Sequence, residues 1–212
     1  MHNTRHACHH VWYMAYIIYG LGNAGDEYAV TRHNTGRMAL DAYYDAHDDF
    51  DDTQYDKKKS AHTARCGGGK SATLLVWYEG FMNNSGKALV SLVKNQKQAE
   101  QTIVIYDDVD LPLGSFKISF DRGDGGHNGL KSVISYLKTK KFIRVRIGVA
   151  QTTPKGKLKK PRGEDAFKKY LLSPFKPDER KQLKKVFKAV SEALDCLRTQ
   201  KREKCTSMHH LP

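Results

Sequence analysis

No run of 18 apolar residues occurs in the 212-residue chain, so no membrane-spanning helix is expected. Cysteine is scarce: Cys8, Cys66, Cys196 and Cys205, with no C-x-x-C pair among them. That usage points to reduced thiols in a cytosolic protein. No acidic residue precedes Asp26, which hints at a transit peptide, but serine is equally absent there and the hint is discounted. The run "VWYMAYIIY" has the length of a signal h-region yet lacks a small-residue cleavage site, and reads better as a first strand. Internal repeats and domain linkers are missing. So is any serine or cysteine in a nucleophile-elbow setting such as G-x-S-x-G.

What is present is a strong excess of positive charge, unevenly spread. Residues 1–150 hold 19 Lys and Arg against 16 Asp and Glu; residues 151–212 hold 17 against 7. A charge run is usually a solvated face. A surplus this concentrated raises the odds of a polyanionic partner, nucleic acid first.

The hydrophobic pattern alternates. "MAYIIYG", "ATLLVWY", "TIVIYDD", "GSFKISF" and "FIRVRIGVA" read as strands. "GRMALDAYYDAH", "SGKALVSLVKN", "GLKSVISYLK", "DAFKKYLL" and the stretch after Pro177 read as helices. The last presents Leu183, Val186, Phe187, Val190, Leu194 and Leu197 on one face. The expected fold is α/β: a single-domain mixed β-sheet flanked by helices on both faces, spanning 14–198. Residues 1–13 and 199–212 are expected to be flexible extensions. The segment 48–70 is expected to be a polar loop region with at most a short strand.

Two glycine motifs invite a nucleotide-binding reading. Gly20, Gly22 and Gly25 spell G-x-G-x-x-G after a strand, but a dinucleotide turn must open directly into a helix that receives the pyrophosphate. Here "DEYAVTRHNT" intervenes, and the first helical pattern starts about ten residues too late. "CGGGKS" fails as a phosphate loop: the position needing the first glycine is Ala64, and what precedes it is polar. The pairs His9, His10 and His209, His210 have no further ligands at fixed spacing, so adventitious metal binding is the better reading for them.

The polar motifs share a placement. "GNAGDEYAVTRHN", "FMNNSG" and "DDVDLPLG" each follow an apolar strand, and "GDGGHNG" precedes a helix. Loops beyond the C-terminal ends of parallel strands converge on one crevice. That crevice would hold His33, His127, Asp107 and four asparagines, Asn23, Asn34, Asn83 and Asn128. A His–Asp pair is the minimum set for activating water, and amides supply uncharged donors for an oxyanion. The residues alone thus indicate a metal-free hydrolase with a polyanionic substrate.

Taken together, "GLGNAGDEYAVTRHNTG", "FMNNSG", "DDVDLPLGSFKI", "GDGGHNGLKSVI", "FIRVRIGV" and "YLLSPF" resemble bacterial-type peptidyl-tRNA hydrolase, in order, from Ala15 to Leu197. The resemblance implies His33 as the catalytic histidine, with Asp107 holding it. It implies that Asn23, Asn83 and Asn128 line the site and grip peptide backbone and ester. Tyr28 would pack near the tRNA 3′ end, Met82 is the methionine of the family's "MN", and Lys117 and Arg146 match positions implicated in tRNA contact. It implies peptidyl-tRNA as partner, no cofactor or metal, and a cytoplasmic monomer. The rival is a non-catalytic, splicing-factor-like RNA-binding relative of the same fold. A nucleotide-binding module through "CGGGKS" is a third reading. The sequence departs from the family pattern at Ala24, where proline is usual. It departs again at Tyr78, Gly80 and Phe81, where P-x-T-Y precedes "MN".

Overall fold

The computed structural model describes residues 16–68 and 72–207. Residues 1–13, both histidine pairs and the glycine-lysine part of "CGGGKS" lie outside the described residues.

The strands are β1 (Tyr16–Gly20), β2 (Gln54–Asp56), β3 (Ala61–Cys66), β4 (Thr73–Tyr78), β5 (Thr102–Pro112), β6 (Phe116–Phe120), β7 (Ile143–Thr152) and β8 (Leu158–Lys159). The helices are α1 (Thr35–Asp45), α2 (Lys87–Val90), α3 (Gln96–Glu100), α4 (Asn128–Leu137), α5 (Glu164–Leu171), α6 (Pro177–Thr199) and α7 (Arg202–Cys205). One mixed sheet runs β2-β3-β4-β1-β5-β7-β6, with β8 added to the end of β7. The four central strands, β4, β1, β5 and β7, are mutually parallel. Both flanking pairs, β3 on β4 and β6 on β7, are antiparallel.

The apolar residues of the central strands are buried whichever face they point to, as expected of strands covered on both sides. Ile18, Leu75, Ile103, Ile105, Val145 and Ile147 pack with α1 and α6. Tyr19, Val76, Tyr78, Val104 and Tyr106 pack with α2 and α4. The apolar face read in α6 is buried at all six positions, Leu183 through Leu197. A side chain of this size contributes roughly 1.5–3 kcal/mol on full burial.

The structure departs from the sequence reading in four places. The polar stretch expected to be a loop carries two strands, and β3 leads into "CGGGKS" and is followed by β4, its antiparallel partner. The glycines therefore join a hairpin, not a strand to a helix. "SGKALVSLVKN" is helical only over Lys87–Val90, and a second short helix starts beyond Asn95, whose side chain accepts from the Gln98 N–H as a cap. The start of the expected flexible tail carries α7 over Arg202–Cys205, with Cys205 wholly buried. Finally, Cys196 and Cys205 are joined by a disulfide, against the expectation of reduced thiols throughout. The chain reverses after Gln200 and brings their Cα atoms to 5.9 Å, within the usual bridging range. Cys66 remains a free thiol; burial and the neighbouring Asp49 carboxylate push it up to about 11.

Candidate active site

Asp107 lies near the C-terminal end of the apolar part of β5, level with Ile147 of β7. Its carboxylate is almost wholly buried. From one side of the sheet comes His33, in a 3₁₀ turn (Arg32–Asn34) that opens α1. From the other comes His127, the residue that caps α4. His33 Nδ1 lies 3.0 Å from both Asp107 oxygens, and His127 Nε2 lies 3.0 Å from Oδ1. The two imidazole rings are 4.9 Å apart.

His33 arrives there because α1 starts hard against the sheet. A Cβ on Gly36 would sit 2.1 Å from the Ile105 carbonyl oxygen, and one on Gly20 would sit 2.5 Å from the Gly36 oxygen. Only glycine permits that approach. The G-x-G-x-x-G thus serves backbone contact, not a phosphate. Next to His33, the buried Arg32 donates from Nη2 to both Glu179 oxygens, at 2.8 and 2.7 Å, and from Nη1 to the Pro174 carbonyl. This charge-assisted pair ties the 3₁₀ turn to the start of α6.

The hydrogen bonds fix both tautomers. His127 Nδ1 accepts from the Gly129 and Leu130 N–H groups, so its proton sits on Nε2 and is donated to Asp107. His33 faces the same carboxylate with Nδ1, so Nδ1 carries its proton, and Nε2 has no hydrogen bond to a described residue. Burial alone would lower the His33 pKa, but the Asp107 charge and hydrogen bond outweigh it and the net shift is upward. Burial pushes the Asp107 carboxyl up, yet the two histidines overcome this and hold it well below the usual carboxylate range.

Among the described residues, His33, Asp107 and His127 are the one cluster with the composition to ligate a metal ion. Their facing atoms are already bonded to one another, and His127 Nδ1 is spent on backbone N–H groups. The arrangement reads as a base, His33, held and charge-compensated by Asp107, with His127 fixing that carboxylate.

A cleft of about 810 Å³ opens over this cluster. It is lined by Asn23, Tyr28, Met82, Asn83, Asn128 and Arg146 as well as the two histidines and Asp107. Asn23 Oδ1 accepts from the Met82 N–H at 2.8 Å, which leaves its Nδ2 without a partner among the described residues. Asn83 and Asn128 are exposed at the cleft wall. Asn34, grouped with them by sequence, has another job: it is fully buried and both ends of its amide grip the Asn23 backbone at 2.9 Å. Arg146 lies at the cleft with Nε 2.7 Å from Asp108. Lys117 pairs with Arg146 across the β6–β7 ladder, on the same sheet face but outside the cleft lining.

His127 sits deeper in the site than its motif suggested. β6 runs antiparallel to β7, so "GDGGHNG" begins at the far end of the sheet, where Phe120 pairs with Ile143. Residues 121–127 then run back four residues along β7 to reach Asp107. Arg144, wholly buried, pins the start of that return by donating to the Arg122 and Gly123 carbonyls. Two glycines with positive φ, Gly125 and Gly126, make its final turn.

Comparison with known proteins bears on this arrangement directly. A family model described as Peptidyl-tRNA hydrolase matches residues 17–211. The chain belongs to the peptidyl-tRNA hydrolase family. It is 37% identical over 185 residues to a peptidyl-tRNA hydrolase of Aquifex aeolicus, covering 85% of this chain and 87% of that protein. It is 39% identical over 182 residues to one from Caldicellulosiruptor saccharolyticus, with 85% and 87% covered. The crystal structure of peptidyl-tRNA hydrolase from Acinetobacter baumannii superimposes with a TM-score of 0.79 over 92% of this chain and 93% of that one, at 23% identity. That last likeness establishes the shared fold, a mixed sheet with helices on both faces.

Proposed function

We propose that this chain hydrolyses the ester between a peptide and the 3′-terminal ribose of tRNA. The observation that carries the reading is the His33–Asp107 pair, with His33 Nε2 left unspent at the floor of the cleft. A water between Nε2 and the ester carbonyl loses its proton to His33 as its oxygen bonds to the carbonyl carbon. The buried Asp107 carboxylate stabilises the imidazolium that results. Asn23 Nδ2, already aimed by the Met82 N–H, donates to the developing oxyanion. Collapse breaks the ester bond, the ribose oxygen takes the proton back from His33, and peptide and tRNA leave.

In this reading Asn83 and Asn128 hold the peptide backbone, and Tyr28 and Met82 pack against the 3′-terminal nucleotide. Arg146 and Lys117 meet tRNA phosphates beyond the cleft. The basic loop 155–162 is a further phosphate-contacting element and contributes no chemistry. Its support is placement: β8 adds to β7, and Lys160 pairs with Asp110 on the cleft rim. The enzyme acts as a monomer in the cytoplasm, where tRNA recycling occurs; the Cys196–Cys205 disulfide is the one feature that pulls against that compartment. No described helix is long and apolar enough to cross a membrane.

The test is release of N-acetyl-amino acid from N-acetyl-aminoacyl-tRNA by the purified chain. Multiple turnovers are expected. Tight tRNA binding without release would favour the non-catalytic RNA-binding reading instead.

A further inference from the structure

Tyr78, the last residue of β4, and Gly80, in the turn that follows, fit each other. A Cβ built on Gly80 would meet three atoms of the Tyr78 side chain, Cε1, Cζ and Oη, at 2.5, 2.6 and 2.7 Å. Gly80 has no positive φ, so the ring, not the backbone conformation, is what demands glycine. The Tyr78 ring is buried in the α2–α4 core. The ring therefore packs against the start of the 80–84 turn, which carries Met82 and Asn83 into the cleft.

That turn in turn holds Asn23. The Gly80 carbonyl accepts from the Ala24 N–H at 3.1 Å, a bond that a proline at position 24 would have no donor to make. Two residues on, the Met82 N–H donates to Asn23 Oδ1. The two bonds straddle the Asn23 amide and decide which end of it faces the substrate.

We propose that Tyr78 and Gly80 are positioning residues for the reaction: the ring, seated against a glycine, sets the height of the 80–84 turn and so aims the Asn23 amide at the oxyanion. The proposal rests on the hydrolytic reading above. In it, residues 24, 78 and 80 work as one unit, each intelligible only with the others.

The experiment is a kinetic cycle on peptidyl-tRNA with four proteins: the parent chain, Gly80→Ala, Asn23→Ala and the double variant. Gly80→Ala is expected to lower kcat roughly 10- to 100-fold with KM changed far less, since a misaimed donor is lost only where charge develops. In the Asn23→Ala background the same change is expected to cost nothing further. Full additivity with Asn23→Ala, or a Gly80→Ala enzyme with parental kcat, would overturn the proposal. Should Gly80→Ala fail to fold, Tyr78→Leu takes its place in the cycle. It removes the ring on which the turn rests, and a severalfold loss of kcat that disappears beside Asn23→Ala is then the supporting result. No turnover by the parent chain would instead defeat the hydrolytic reading itself.

Discussion

His33 and His127 bond the same carboxylate from opposite faces of the sheet, and their supports have little in common. The His33 turn is buried and locked by Arg32, which reaches Glu179, Ser173 and Pro174 at once. The His127 loop is mostly exposed and ends in glycines. Their chemistry differs in the same way. His33 keeps one nitrogen unspent, whereas His127 has both committed, one to Asp107 and one to the α4 backbone. Rigid support goes with the group that must hand over a proton, and the second histidine is a brace. One carboxylate accepting from two imidazoles is fixed more tightly than one accepting from a single ring.

The largest expected effect follows from removing the unspent nitrogen. His33→Ala should lower kcat by about 10²–10⁴-fold while tRNA binding, measured by filter retention, stays within severalfold. Near-parental turnover would place the base elsewhere. The parent enzyme should gain activity as pH rises through a value above the ordinary histidine ~6.5, because the raised His33 pKa keeps the base protonated longer. A rate profile flat from pH 5.5 to 8 would contradict this.

Stability should move the other way. A histidine with a raised folded pKa stabilises fully below its unfolded value and loses that contribution as pH climbs through the folded one. Asp107, held low, contributes above roughly pH 4 and loses its contribution as pH falls toward its depressed folded pKa. The two titrate as a coupled unit.

Asp107→Asn should be milder than His33→Ala, since an amide oxygen still accepts from the rings but no longer stabilises imidazolium. If it proved the more damaging change, the roles assigned to the pair would be reversed. His127→Asn should be milder again. Asparagine is a good helix cap, so the start of α4 should keep its cap. Losing a charge-assisted bond of about 1.5 kcal/mol should cost roughly tenfold in kcat. A drop as deep as that of His33→Ala would make the two histidines equivalent and end the distinction between base and brace.

The smallest effect on chemistry is expected far from both. Replacing Lys157, Lys159, Lys160 and Arg162 with serine should raise KM for peptidyl-tRNA and flatten its salt dependence. The slope should change by about 0.7–0.9 for each phosphate that the loop no longer neutralises. Hydrolysis of a minimal ester lacking the tRNA body should be unchanged. An unaltered salt slope would leave the loop an ordinary solvated surface.

Much of this site was legible in the sequence because its residues sit in loops that follow apolar strands directly. Asn23 and Asn83 each lie a few residues past a strand, Asp107 directly follows the apolar run of β5, and His33 opens the helix that follows β1; parallel strands bring these ends together. What escaped reading depends on partners distant in sequence. The return of residues 121–127 needed the antiparallel placement of β6, which no local pattern specifies. Asn34 looked like a fourth cleft amide because nothing local shows an asparagine spent on backbone. β2 and β3 lie in a polar stretch because one edge of the sheet faces water. The Cys196–Cys205 bond depends on a reversal at Gln200 that the helical pattern of α6 conceals.

The return segment is also a tether of measurable slack. Seven steps from Phe120 to His127 can span about 24 Å fully drawn out. The walk back from the level of Ile143 to that of Ile147 is only about 13 Å. The surplus is taken up in a tight coil, where the His127 N–H meets the Asp124 carbonyl and the Gly126 N–H meets the Asp124 side chain. Reach is therefore not what fixes the length of this segment. A deletion at Gly125 would still let His127 arrive at Asp107, but without the coil that orients it, whereas an extra glycine there would only lengthen an existing bulge into solvent. Shortening should thus be felt in the rate, and lengthening should pass almost unnoticed.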